Sequence, residues 1–381
     1  MSTKQKSLGH VVVVGGCGFL GHHIVNLLVE RYPESRVSVL DLRTTKNRNP
    51  SPNASYHDAD ITNEESLKAL FEKLKPDVVI HTASPVAHGI PKEVMYKVNV
   101  DGTRNLLRAA QESGVKAFVY TSSASVIFDN MTELVNADET YPVIAGDDQP
   151  SYYTSTKVWG ENSVLEANRK SSYPRFLTCA IRPAGIFGEG DVQMLPAMLG
   201  AYFRKQHKFQ LGDNTNLFDF TYAGNVAHAH LMAAAALLQT SALHPTVPLD
   251  TERVDGEAFF VTNDQPVPFW DFARAVWRQA GPPLPMNKVW VLPKDVMLPI
   301  GSMLEWMFWA FGKKPNLSRD QVFYSTVRRY YNCDKAKRRL GYRPVVPLGE
   351  GIKRGVEEVL AREGPEWSWV KAGTAQPQKA G

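Results

Sequence analysis

Tyr153 and Lys157, in the run Ser151-Tyr-Tyr-Thr-Ser-Thr-Lys157, place a phenol and an ammonium four residues apart, which on a helix sets them on one face. A phenol titrates near about 10 in water and serves as a base near neutral pH only when a neighbouring cation favours its ionised form. Lys157 is that cation, and the chemistry such a pair can do is proton transfer to or from a substrate hydroxyl. Tyr152 falls roughly 140° around the helix from Lys157 and points elsewhere, so Tyr153 is the candidate. On its own the pair also fits an ordinary exposed helix face, because both residue types are common there.

The elements that would position this pair begin at the N-terminus. Val11 to Val14 is a β-branched run of the kind that forms a buried parallel strand, and it leads into Gly15-Gly-Cys-Gly18-Phe19-Leu-Gly21. Ile24, Leu27 and Leu28 then recur at helical spacing, giving the strand, glycine turn and helix of a Rossmann unit. Backbone without side chains can approach a pyrophosphate, and the helix N-terminus favours its negative charge. The second strand, Val37 to Leu40, ends in Asp41, where a carboxylate can accept hydrogen bonds from an adenosine ribose. That placement favours NAD; Arg43 could instead receive a 2′-phosphate, which keeps NADP open.

Further strand-like runs at Val78 to His81, Ala117 to Thr121 and Phe176 to Arg182 alternate with helical stretches, the pattern of a doubly wound parallel sheet. The first of these ends in His81-Thr-Ala-Ser84 and the second in Thr121-Ser-Ser123, putting small polar residues at the carboxyl edge where a cofactor would lie. Ser123 is the better hydroxyl. The expected architecture is an α/β Rossmann domain over 8–182, with returning segments near 223–240 and 257–262. A smaller, interwoven substrate lobe is expected from 183–222 and 265–360, followed by a disordered tail at 363–381.

With Ser123 ahead of Tyr153, the chain resembles an extended short-chain dehydrogenase, and within that superfamily the 3β-hydroxysteroid dehydrogenase branch, particularly its decarboxylating members. The resemblance is carried by Tyr120-Thr-Ser-Ser-Ala-Ser-Val126, Arg182-Pro-Ala-Gly-Ile-Phe-Gly188, Leu217-Phe-Asp-Phe-Thr-Tyr222 with Asn225, and Phe259-Phe-Val-Thr-Asn263. It implies that Ser123 orients a substrate hydroxyl, that Tyr153 transfers its proton and that Lys157 also binds the nicotinamide ribose. It implies cofactor contacts from Thr82 and Ala83, from Pro183 beside the nicotinamide, and from Asp60 and Ile61 at the adenine. The implied reaction is NAD-dependent oxidation of a 3β-hydroxyl beside a 4α-carboxylate, with loss of CO₂ to give a 3-ketosterol. A dehydrogenase/isomerase or terpenoid-pathway paralogue is the enzymic alternative, and a non-catalytic nucleotide sensor the remote one. Glu189 departs from the family's usual Pro after Gly188 and bears on a loop beside the substrate lobe. Asn99 matches a family position near the cofactor, and a helix cap or buried backbone partner would explain it equally well.

The resemblance implies a sterol or steroid-like small molecule as substrate, and bulk properties point to no other class of partner. Lys+Arg 43 against Asp+Glu 39 leaves a net charge of +4, and no basic block with interleaved aromatics points to nucleic acid. His81, His228 and His230 lack metal-ligand spacing, so no metal is expected; Asp147 and Asp148 read as a solvated turn. Cys17, Cys179 and Cys333 lie far apart, two of them in the expected core, which suits a reducing compartment. No signal peptide is expected before Val11. The stretch from Val289 to Phe311 is rich in Trp, Met, Leu and Phe, yet Lys294, Asp295, Glu305, Pro293 and Pro299 make it a poor spanning helix. It reads either as an interfacial contact, with Trp306, Phe308, Trp309 and Phe311 at the apolar level and Lys313 and Lys314 at the headgroups, or as the lid of an apolar pocket. The family resemblance implies a peripheral endoplasmic reticulum protein, with a cytoplasmic one as the alternative; a homodimer is compatible with either.

Overall fold

The computed structural model describes residues 7–86, 89–310 and 317–364. The elements that build its larger layer are β1 (His10–Val14), α1 (Phe19–Arg31), β2 (Arg36–Asp41), β3 (Ala54–Asp58), α2 (Glu64–Leu74), β4 (Val78–His81), α3 (Thr103–Glu112), β5 (Ala117–Thr121), α4 (Tyr152–Glu166), β6 (Leu177–Pro183), α5 (Ala223–Ala242) and β7 (Glu257–Val261). The seven strands are all parallel and lie in the order β7-β6-β5-β4-β1-β2-β3.

The alternation of a strand's side chains divides the valine run between two cores. Val11 and Val13 pack with Ile24 and Leu28 of α1 and Val226 and Leu237 of α5; Val12 and Val14 pack with Phe71 of α2, Leu106 of α3 and Val164 of α4. Helices thus cover both faces, which is what a sheet with near-continuous apolar strands requires. The chain winds outward from β1 to β3 and then returns to β4 on the other side of β1. At that reversal the carboxyl ends of β1 and β4 diverge and open a crevice. The edge strand β3 was not visible in the hydrophobic pattern: Ala54-Ser-Tyr-His-Asp58 is partly exposed along its length, and only its residue-by-residue pairing with β2 reveals it.

The smaller lobe gathers distant segments. Leu217–Phe218, Val267–Pro268, Arg329–Tyr331 and Leu134–Ala137 form a four-stranded sheet, so a segment from between β5 and α4 joins strands from beyond β6. Beneath it Phe187, Phe218, Phe220, Phe269, Phe272 and Trp277 form an aromatic core with the helix Leu348–Glu363. The Phe220 and Phe272 rings stack there, 3.6 Å between centroids. Glu363, which the sequence reading put in the tail, ends that helix; Trp367 and Trp369 lie outside the described residues.

Trp290–Leu292 pairs in parallel with Phe209–Leu211 and is followed by the helix Lys294–Ala310, which accommodates Pro299. Trp306 and Trp309 stand 73% and 78% exposed on it, while Phe308 is half-buried. Phe311, Lys313 and Lys314 lie outside the described residues. No described helix is long and apolar enough to cross a membrane.

Candidate active site

The glycine turn is built by close approach. Gly15 sits at φ +78°, and a Cβ there would meet the Ala83 backbone at 2.7 Å, while one on Gly21 would run into the Gly15 carbonyl. Gly18 is the N-cap of α1 and offers no side-chain cap, which leaves the first backbone N–H groups of the helix facing the crevice for an anion. This cradle fits a dinucleotide pyrophosphate. Gly15, Gly18, Phe19, Gly21, Asp41, Asp60, Ile61, Thr82, Ala83, Pro183, Ser123, Tyr153 and Lys157 all line one cleft of about 890 Å³.

Within the cleft each end has its own anchoring. The Cys17 N–H donates to Asp41 Oδ2 at 3.0 Å, tying the turn to the end of β2, and burial pushes the Asp41 carboxyl up against the pull of its backbone N–H donors. Asn105 Nδ2 donates to the Ile61 carbonyl at 3.0 Å. Arg43 is exposed, one residue beyond Leu42, which lines the cleft with Asp41. Asp41, at the end of β2, lines the cleft where an adenosine ribose would lie. The expected result is preference for NAD over NADP, with Asp41→Ala narrowing the gap; steady-state kinetics with both cofactors decides it, and an NADP-preferring wild type would contradict it.

The helix that carries Tyr153 and Lys157 starts where the sequence supplies a cap: Ser151 Oγ accepts from the Thr154 N–H. Ser123 holds the start of a short 3₁₀ turn, accepting from the Ser125 N–H. Its hydroxyl lies 2.8 Å from Ser125 Oγ, which in turn lies 3.2 Å from Thr154 Oγ1. A row of hydroxyls thus links Ser123 to the residue after Tyr153. Burial pushes the Tyr153 phenol above its ordinary value, and a hydrogen bond with Ser84 pulls the other way. Lys157 Nζ donates to the Thr121 carbonyl at 2.6 Å and lies 4.6 Å from the centre of the Tyr120 ring. Burial brings its pKa down to about 7, with Glu161 opposing.

His81 and His230 answer to the same ammonium. Burial first, and the Lys157 charge second for His81, bring that imidazole to about 3; burial brings His230 to about 4, with Lys157 adding to it. His230 Nδ1 donates to the Val226 carbonyl, so Nε2 accepts from Thr121 Oγ1 at 2.7 Å. His228 is also brought to about 4, by burial and Arg31. All three are neutral, hydrogen-bonded packing residues. Asn99 is buried in a π-helical turn, with Nδ2 donating to Thr156 Oγ1 at 2.9 Å.

Several neighbours escaped the sequence reading. Arg182, just before Pro183, donates twice to Glu161 on the helix of Lys157, at 3.0 and 2.5 Å, with both side chains buried. Its signal was available: Glu161 falls four residues beyond Lys157, on the same helix face. Glu189 accepts from the Tyr222 hydroxyl at 2.9 Å, and its carbonyl lies 2.7 Å from His23 Nε2, so the residue that replaces the usual Pro ties α1 to the small lobe. The rest of the cleft is lined largely by apolar side chains, Val86, Ile90, Val94, Ile186, Val192, Met194, Phe218 and Tyr324, with Asp191, Asp219 and Arg329 among them.

The fold and the cleft are those of an extended short-chain dehydrogenase. Residues 12–294 match the 3-beta hydroxysteroid dehydrogenase/isomerase family, and the chain belongs to that family. It is 41% identical over 347 residues to the decarboxylating sterol-4-alpha-carboxylate 3-dehydrogenase of Schizosaccharomyces pombe, covering 90% of this chain and 95% of that one. The enzyme of the same name from Candida albicans is 40% identical over 359 residues, covering 91% and 97%. Among solved structures, the UDP-glucose 4-epimerase of Thermus thermophilus in complex with NAD superposes with a TM-score of 0.64 at 23% identity, covering 92% of this chain and 98% of that one.

Proposed function

We propose that this protein oxidises the 3β-hydroxyl of a 4α-carboxysterol to a ketone and releases the carboxyl carbon as CO₂, with NAD as cofactor. The observation that carries this reading is the likeness, over nine-tenths of the chain, to enzymes named for that reaction, and the cleft suits it by joining a dinucleotide cradle to a largely apolar chamber.

Bound nicotinamide supplies the hydride acceptor. Ser123 holds the substrate hydroxyl, and Tyr153 takes its proton as the carbon becomes a carbonyl. Burial favours the neutral phenol, so Tyr153 first gives its own proton to solvent and acts as the phenolate, an ionisation that Lys157 supports while it carries its charge, which the Thr121 carbonyl and Glu161 sustain. The product of the first step is a β-keto acid. Its bond from C4 to the carboxylate breaks, the electron pair moves into the C3 carbonyl to form an enolate, and CO₂ leaves; C4 then takes a proton. Tyr153, now a protonated phenol, and Ser123 donate hydrogen bonds to the developing enolate oxygen.

Purified protein with NAD and a panel of 3β-hydroxysterols, with and without a 4α-carboxylate, tests the reading. Preferred turnover of the carboxysterols is expected. Oxidation of simple 3β-hydroxysteroids with double-bond isomerisation, and no turnover of the carboxysterol, would assign the protein to the isomerase activity instead.

The exposed Trp306 and Trp309 give this function a route to an apolar substrate, since indole rings favour the membrane interface. The protein then works as a peripheral protein of the endoplasmic reticulum. Co-sedimentation with liposomes is expected, and Trp306→Ala with Trp309→Ala should weaken it; a wild type that stays in the supernatant would contradict membrane contact.

A further inference from the structure

We propose that Arg329 recognises the substrate carboxylate, an inference that rests on the function proposed above. Lys157 and Arg329 are the two cationic side chains lining the cleft among the described residues, and Lys157 is committed to the Thr121 carbonyl. Arg328, next in the chain, pairs with Glu133; Arg329 has no carboxylate partner among the described residues. Among the described residues its side chain makes a single hydrogen bond, from Nε to the Tyr331 hydroxyl, 2.8 Å, which leaves the two terminal nitrogens of the guanidinium for a ligand. A carboxylate matches that planar fork.

The surroundings fix where the fork stands. The guanidinium lies 4.3 Å from the centre of the Phe128 ring and 5.9 Å from those of Phe218 and Tyr324, so aromatic faces hold it and exclude water from one side. Tyr331, which accepts from Arg329, donates to the Ala124 carbonyl at 3.2 Å. Two hydrogen bonds therefore connect Arg329 to the residue directly after Ser123. A substrate with its hydroxyl and carboxylate on adjacent carbons can meet Ser123 with one and Arg329 with the other. Asp219 also lines the cleft; burial pushes its carboxyl up to about 7, its Oδ2 accepts from the Tyr331 N–H at 2.8 Å, and among the described residues it forms no ion pair with Arg329. Asp191 is occupied by the N–H groups of Gln193, Met194 and Leu195.

The test compares kcat/KM for a 4α-carboxysterol with that for the 3β-hydroxysterol of the same nucleus lacking the acid, in wild type, Arg329→Gln and Arg329→Lys. Losses common to both substrates cancel in the ratio. Wild type should favour the acid, and Arg329→Gln should cut that preference at least about tenfold, the loss expected when a hydrogen bond to a charged group is removed. Arg329→Lys should retain more of the preference than Gln does. NAD affinity reports folding, and if the Gln variant fails to fold, Arg329→Met keeps a long side chain among the aromatic rings and carries the same expectation. An acid-preferring wild type whose preference survives in the neutral variants would overturn the role of Arg329 while leaving the function standing. A wild type that does not turn over the acid would overturn the function, and this inference with it.

Discussion

Tyr153→Phe should lower turnover at least about 100-fold, the lower range for losing a general acid–base group, while NAD affinity changes little. The phenol lines the cleft with Lys157, four residues on along α4, whereas the glycine turn that would hold the pyrophosphate is built from a different element, and removing one oxygen leaves the packing of α4 unaltered. Tyr152→Phe is the matched control: its ring packs against Trp159, 6.0 Å between centroids, beneath Lys92, and it does not line the cleft. Stopped-flow or steady-state turnover, with cofactor affinity measured separately, distinguishes the outcomes. Near-normal turnover in Tyr153→Phe contradicts its role, and an equal loss in Tyr152→Phe would move the role by one residue.

Glu161→Ala should destabilise the fold by about 3–5 kcal/mol, the cost of leaving a buried charge without its partner. Arg182 is 4% exposed and Glu161 1%, and the guanidinium also lies 5.4 Å from the centre of the Phe260 ring, so Arg182 cannot swing to water when the carboxylate goes. The pair clamps the middle of α4 to β6 near Pro183, fixing the helix that carries Tyr153 and Lys157. Removing both charges should cost less than removing one: Glu161→Leu combined with Arg182→Met is expected to be more stable than Glu161→Ala. Denaturant titrations of the three proteins check this, and a single variant as stable as wild type would mean that water or a shifted side chain satisfies Arg182.

Much of this was legible before any coordinates. The valine run, the glycine spacing and Asp41 follow from rules local to one strand, turn and helix, so β1, α1, β2 and the dinucleotide cradle could be read directly. The four-residue spacing likewise showed the helix face shared by Tyr153 and Lys157, while the Ser151 cap that starts α4 came only from the structure. What escaped depends on tertiary pairing. The polar edge strand β3 has no apolar run of its own, because it is covered on neither side as fully as its neighbours. Arg329 and Leu134 are far apart in sequence and meet only as paired strands, so nothing local could have shown a cation brought into the same cleft as Ser123. The expected pull of Lys157 on the Tyr153 phenol is not what the structure shows: the ammonium is held by the Thr121 carbonyl, and burial raises the phenol with only Ser84 opposing.

The central claim is that oxidation at C3 and loss of the C4 carboxylate are one coupled reaction on this protein. It is tested most directly by following NADH formation and labelled CO₂ release in parallel from a 4α-carboxy-3β-hydroxysterol carrying label in the carboxyl carbon, with wild type and Tyr153→Phe. The two products should appear in equal amounts with wild type and be lost together in the variant, because the β-keto acid that sheds CO₂ exists only after oxidation. NADH formed without CO₂, or CO₂ released undiminished by Tyr153→Phe, would contradict the account.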